Sequence, residues 1–139
     1  MNENPSTTVE SSDGKYAQLI KARLHEWVAG EPTEVGGVDN GPTPYELLLS
    51  ALGACTSITL EMYAARKEWP LEKVYVTLEH SKEDRVGEND GKPVDMIDRI
   101  VRLDGPLDES QRAKLIEIAE KCPVHRTLTN QITINTLLG

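Results

Sequence analysis

Positive charge is scarce in this chain. Fifteen lysines and arginines face 23 aspartates and glutamates, giving a net charge of −8 and a pI of about 4.9. That balance repels phosphate backbones and anionic lipid surfaces, so neither a general nucleic-acid role nor a membrane-surface role is expected. Long apolar runs are lacking too. No stretch reaches the roughly 18 uninterrupted apolar residues of a membrane span, and Met1 to Lys15 is polar, without the apolar region of a secretory leader. A cytoplasmic protein is the expectation. There are only two cysteines, Cys55 and Cys122. In a reducing compartment such residues are more often reduced, catalytic or metal-bound than joined in a structural disulfide.

The length of 139 residues suits one domain with a real core. The apolar share of 38% is low for a self-sufficient monomer, yet much of it is gathered in one segment. Residues 1–14 read as a flexible N-terminal tail, and 15–139 as a single domain. Alternation from Tyr16 to His25 predicts a strand, which Trp27-Val28-Ala29 either continues or pairs back on. Gly30, Pro32, Gly36, Gly37 and Asn40-Gly41-Pro42 mark a turn-rich loop. At Thr43-Pro44-Tyr45-Glu46 the cap residue, the first-turn proline and a glutamate at the third helical position predict a helix start with a capping box. That helix should run to about Lys67, before Pro70. It is apolar nearly all round for four turns, so it should be enclosed on several sides.

Further along, residues 71–79 and 94–103 alternate as two strands of an antiparallel hairpin around a charged loop. Asp108 to Gln111 opens a second helix, which Cys122-Pro123 ends, and Pro123 can begin a short further turn through Thr127. Gln131 to Leu138 alternates as a closing strand. The predicted order is β-β-α-β-β-α-α-β, an α+β fold with mainly antiparallel sheet. A homodimer would cover the apolar helix.

Two chemical readings of the cysteines stay open. Cys55 lies about three turns into the apolar helix, too far for the N-terminal dipole to acidify it, and burial there raises its pKa. A reactive Cys55 therefore needs a cation from elsewhere, with Arg23 and Arg126 as candidates. Otherwise it is a small core hydrophobe. Cys122 can cap the turn begun by Pro123, where backbone N–H groups favour a thiolate, and His125 is near enough in sequence to reach its sulfur. Alternatively Cys122-Pro123 simply terminates a helix. Glu46 is explained by capping, or it serves a catalytic arginine or cysteine. Cys122-x-x-His125 is also half of a zinc pattern, to which Cys55 and His25 could add ligands. Structural zinc sites use two close-spaced pairs, and Cys55 stands alone.

Gly41-Pro42-Thr43-Pro44-Tyr45-Glu46-Leu47-Leu48-Leu49, Gly53-Ala54-Cys55-Thr56 and Cys122-Pro123-Val124-His125-Arg126-Thr127-Leu128 resemble the OsmC/Ohr family of osmotically inducible and organic-hydroperoxide-resistance proteins. The resemblance runs from Tyr16 onward. It implies an intertwined α+β homodimer with long central helices and interface sites. It also implies a cysteine-based reductase of alkyl or fatty-acyl hydroperoxides serving oxidative-stress defence. In that scheme Cys55 becomes a sulfenic acid, Cys122 closes a disulfide with it, and Arg23 stabilises the thiolate with Glu46 as partner. His125 or a water supplies a proton. A dithiol, such as a lipoylated protein, is the implied reductant, and no cofactor or metal is implied. The chain departs from the characterised peroxidases at two places. Tyr45 stands where they carry a glutamate after the proline, with Glu46 one residue later and about 100° around the helix. His125 stands where they usually carry serine. The pattern is closer to the OsmC-like redox-protein branch. The alternative implied by the same fold is a non-enzymatic redox sensor or apolar-ligand binder.

Overall fold

The computed structural model describes residues 4–139, which divide into two compact units, the first ending at Leu48 and the second beginning at Leu49. The sequence had suggested one domain after a tail ending at residue 14. Within that segment Thr8–Ser11 forms a strand, β1, because its backbone groups find partners on the next strand.

The first unit is a three-stranded antiparallel sheet in the order β1, β2 (Gln18–Ala22), β3 (His25–Ala29). Trp27-Val28-Ala29 therefore pairs back rather than continuing the first strand. Ala22 pairs with His25, leaving Arg23-Leu24 as a two-residue turn. Such turns want a positive φ, and Arg23 supplies one at 53°. Ile20 and Ala29 are the buried residues of its strands, and Ala17, just before β2, is buried too.

The long helix α1 spans Pro44–Lys67, with the boundaries its caps predict. Thr43 and Glu46 close a reciprocal box: the Glu46 N–H donates to Thr43 Oγ1 at 3.2 Å, and the Thr43 N–H donates to Glu46 Oε1 at 2.8 Å. By length and composition α1 is apolar enough to cross a membrane, with a mean hydropathy of 1.4 over its best 18 residues. The count of uninterrupted apolar residues had missed this, because Ser50, Thr56 and Ser57 interrupt the run without making it hydrophilic.

In the second unit α1 packs with the hairpin β4 (Lys73–Glu83) and β5 (Val94–Asp104) and with α2 (Glu109–Ala119). The hairpin pairs in unbroken register from Lys73 with Asp104 to Glu83 with Val94. Leu60 of α1 and Leu115 of α2 are fully buried among Ala64, Leu103, Leu107, Ile118 and Ala119. Each of these leucines contributes about 1.5–3 kcal/mol by leaving water. Gly53 lets helix and hairpin come close, since a Cβ there would lie 2.8 Å from Leu78 Cδ1. At the start of α2, Asp108 and Gln111 form the expected second capping box. Arg112 ties α2 to the end of β5, donating to Leu103 O at 2.7 Å and Gly105 O at 2.8 Å. The short helix α3 follows at Pro123–Thr129.

The predicted strand 131–138 does not form; these residues are exposed and unassigned to any sheet. A strand exists only by pairing with a neighbour, and none is supplied within the described chain. Ile134, Leu137 and Leu138 are left more than four-fifths exposed. Enclosure of α1 is also incomplete: Tyr45, Leu48, Ile58 and Met62 remain exposed.

Candidate two-thiol site

Both cysteines lie in the second unit, and the Cys122 thiol is close enough to Cys55 to push its pKa up. Cys55 is partly exposed on α1, whereas Cys122 is fully buried. The reason they meet is local. Pro123 starts α3, so Cys122 is its N-cap, and the first-turn amides point back at sulfur. The His125 N–H donates to Cys122 Sγ at 3.2 Å, and Val124 forms a backbone hydrogen bond with the Cys55 thiol. One turn of helix thus serves both sulfurs.

Burial pushes the Cys55 thiol above the ordinary value of 9.0. The bond to Val124 pulls it down, the hydrogen bond and charge of Cys122 push it up again, and the Thr59 hydroxyl opposes them. The net direction is upward, as the position deep in α1 led us to expect.

A polar network backs the pair. Thr56, next to Cys55 and fully buried, has its Oγ1 2.7 Å from Leu52 O and 3.9 Å from Cys122 Sγ. Arg99 of β5 donates from Nη1 to Thr56 Oγ1 at 3.0 Å and from Nη2 to His125 Nδ1 at 2.9 Å. Because a guanidinium can only donate, His125 Nδ1 accepts and the ring proton sits on Nε2. That nitrogen faces Glu120 Oε2 at 3.2 Å, and Arg99 Nη2 lies 3.6 Å from the same oxygen. Arg99, Glu120 and His125 line one side of a cavity of about 440 Å³, with Leu52, Ile97 and Leu128 among its apolar walls.

Of the expected site residues, Cys55, Cys122 and His125 are brought together. His125 meets sulfur through its backbone amide, while its ring turns to Arg99 and Glu120. Arg23 and Glu46 belong to the first unit: Arg23 is an exposed turn residue, and Glu46 is engaged in the capping box. Arg126, the other candidate cation, is exposed on α3. Sequence reasoning missed Arg99, Thr56 and Glu120. Arg99 sits in an alternating strand among charged residues and reads there as solvated surface. The one available signal was its place on the face shared by Ile97 and Val101. Among the described residues, no group of three or more histidine, cysteine, aspartate or glutamate side chains is placed to hold a metal ion.

Residues 37–137 match the family described as OsmC-like protein, and the chain belongs to that family. Among solved structures it is similar to an OsmC-like protein from Mycoplasma pneumoniae, at 21% identity and a TM-score of 0.74 over 92% of this chain and 89% of that one. An organic hydroperoxide resistance protein OsmC and predicted redox protein from Legionella pneumophila matches at 17% identity and a TM-score of 0.68 over 93% of this chain and 91% of that one. The organic hydroperoxide resistance protein OhrB of Bacillus subtilis matches at 19% identity and a TM-score of 0.64, covering 91% of each chain. No curated protein matches. The α+β architecture of two antiparallel sheets and three helices is that of the OsmC/Ohr structures.

Proposed function

We propose that the chain is a thiol-dependent peroxidase of the cytoplasm that reduces alkyl or fatty-acyl hydroperoxides as a homodimer, in defence against oxidative stress. The observation that carries this reading is the neighbouring pair formed by Cys55 of α1 and Cys122, the N-cap of α3. The Cys55 thiolate attacks the outer peroxide oxygen. The O–O bond breaks, the sulfur is oxidised to a sulfenic acid, and the alkoxide takes a proton from water and leaves as the alcohol. Cys122 then attacks the Cys55 sulfur; an S–S bond forms, the S–O bond breaks, and hydroxide leaves as water with the Cys122 proton. A dithiol, such as a lipoyl group, reduces the disulfide and is itself oxidised. The cycle needs no metal or other cofactor.

A thiol raised by burial needs a cation at its sulfur when it reacts. Arg23 is the guanidinium assigned to that task, with Glu46 as its carboxylate partner and His125 giving its backbone N–H to Cys122. The homodimer has support in what the chain leaves bare. Leu24 at the tip of the β2–β3 turn is 96% exposed and Met62 on α1 is 67% exposed. Burying such residues against a second copy of the chain would remove them from water.

The raised Cys55 thiol also favours a second reading, in which the cysteines are only oxidisable and the protein senses oxidants or holds an apolar ligand. Cumene hydroperoxide with reduced lipoamide separates the two. Catalytic peroxide loss that vanishes in Cys55→Ser is expected. Absence of turnover, together with a copurifying lipid in the mass spectrum, would give the protein to the second reading.

A further inference from the structure

We infer that Arg99 is the positioning cation of the two-thiol site, turning the Thr56 hydroxyl toward the Cys122 sulfur and fixing the His125 ring while Cys122 closes the disulfide. The inference rests on the peroxidase reading for its place in the cycle, and on geometry for the rest. Thr56 Oγ1 has one proton and two lone pairs. Arg99 occupies one lone pair at 3.0 Å, so the proton is shared between two acceptors, Leu52 O at 2.7 Å and Cys122 Sγ at 3.9 Å. While Cys122 is a thiol, the nearer carbonyl holds the proton. As charge forms on sulfur, a rotation of the hydroxyl moves the proton toward it with no heavy atom displaced. The donation from Arg99 polarises the hydroxyl and strengthens that second bond.

The guanidinium is placed to be felt. Its side chain is 11% exposed, against 64% for Glu120, so water screens the carboxylate far more than the cation. In the second unit the titratable and charged groups tied to this network are Cys55 of α1, Arg99 of β5, Glu120 after α2 and His125 of α3, and Asp95 and Asp98 of β5 line the adjoining cavity. His125 is held with Nδ1 accepting from Arg99, which keeps the α3 turn in register, so that its N–H stays on Cys122 Sγ at 3.2 Å. The sulfur therefore has an amide on one side and an Arg99-backed hydroxyl on the other. Both are donors from which this sulfur accepts a hydrogen bond when it attacks Cys55.

The test uses Cys55→Ser, in which Cys122 is the single thiol, and follows thiolate ultraviolet absorbance against pH. Adding Arg99→Met should raise the midpoint by roughly one pH unit, the size expected for losing one nearby opposite charge. Adding Thr56→Val instead should raise it by a smaller amount. Nitrogen NMR of His125 should show the Nε2–H tautomer in the parent and tautomer exchange once Arg99 is replaced. A shift with both substitutions supports the inference; a midpoint unmoved by either, in folded protein, overturns it. If Arg99→Met does not fold, Thr56→Val decides by the same criterion. These titrations involve no peroxide, so they stand or fall separately from the peroxidase reading.

Discussion

The Arg99 guanidinium lies 2.9 Å from His125 Nδ1 across 26 residues of sequence, and this contact links the β4–β5 hairpin to the α3 turn that meets both sulfurs. Its consequence is directional. The His125 ring nitrogens engage Arg99 and Glu120, while its backbone amide donates to Cys122 Sγ.

The two cysteines should separate cleanly in stoichiometry. With no reductant, Cys122→Ser should consume about one equivalent of organic hydroperoxide and stop as a Cys55 sulfenic acid, trapped by dimedone and seen by mass spectrometry. Normal cycling of that variant with the physiological dithiol would remove Cys122 from the resolving role.

The pH dependence of Cys55 follows from its causes. Burial and Cys122 push its folded value above 9.0, so the fold prefers the protonated thiol. The associated stability is fully present below 9.0 and is lost as pH rises through the folded value. Alkylation of Cys55 should thus show a midpoint above 9.0, and Cys122→Ser should bring it down by removing both contributions of that neighbour. A midpoint already below 9.0 in the parent would mean that a cation reaches Cys55 in solution.

The bare apolar residues predict assembly. Light scattering should give twice the chain mass. Met62→Glu or Leu24→Glu should weaken association at least tenfold, because each charge is desolvated at a cost of about 1.4 kcal/mol or more. A monomeric parent would leave the exposed apolar residues unexplained.

Stability should track the buried leucines and spare the cap. Leu115→Ala should lower unfolding free energy by roughly 2–5 kcal/mol in urea titration. Glu46→Gln keeps an acceptor for the Thr43 N–H and should cost well under about 1 kcal/mol. If Glu46→Gln nevertheless slows peroxide reduction, Glu46 acts beyond its cap.

Elements with their own punctuation were legible. Thr43-Pro44 with Glu46 marked the start of α1, Asp108 with Gln111 that of α2, and Pro123 that of α3, because caps are local hydrogen bonds. The strand predicted at 131–138 failed for the opposite reason: alternation gives a face but not a neighbour. The strand at Thr8–Ser11 was missed because all four of its residues are exposed and carry no apolar pattern.

By itself the sequence determined the family, the α1 helix and the setting of each cysteine, since these depend on contacts within a few residues. It also determined that Cys55 would be a reluctant thiolate, because its depth in an apolar helix is a matter of counting. Only the tertiary structure decided that the two thiols are neighbours, and that Arg99 rather than a nearer residue stands behind Thr56. That choice depends on where a hairpin of two 11-residue strands lays its side chains against a helix, which no local pattern encodes. Long-range packing brings residues 43 positions apart within a hydrogen bond, and the charge they share becomes a property of the fold.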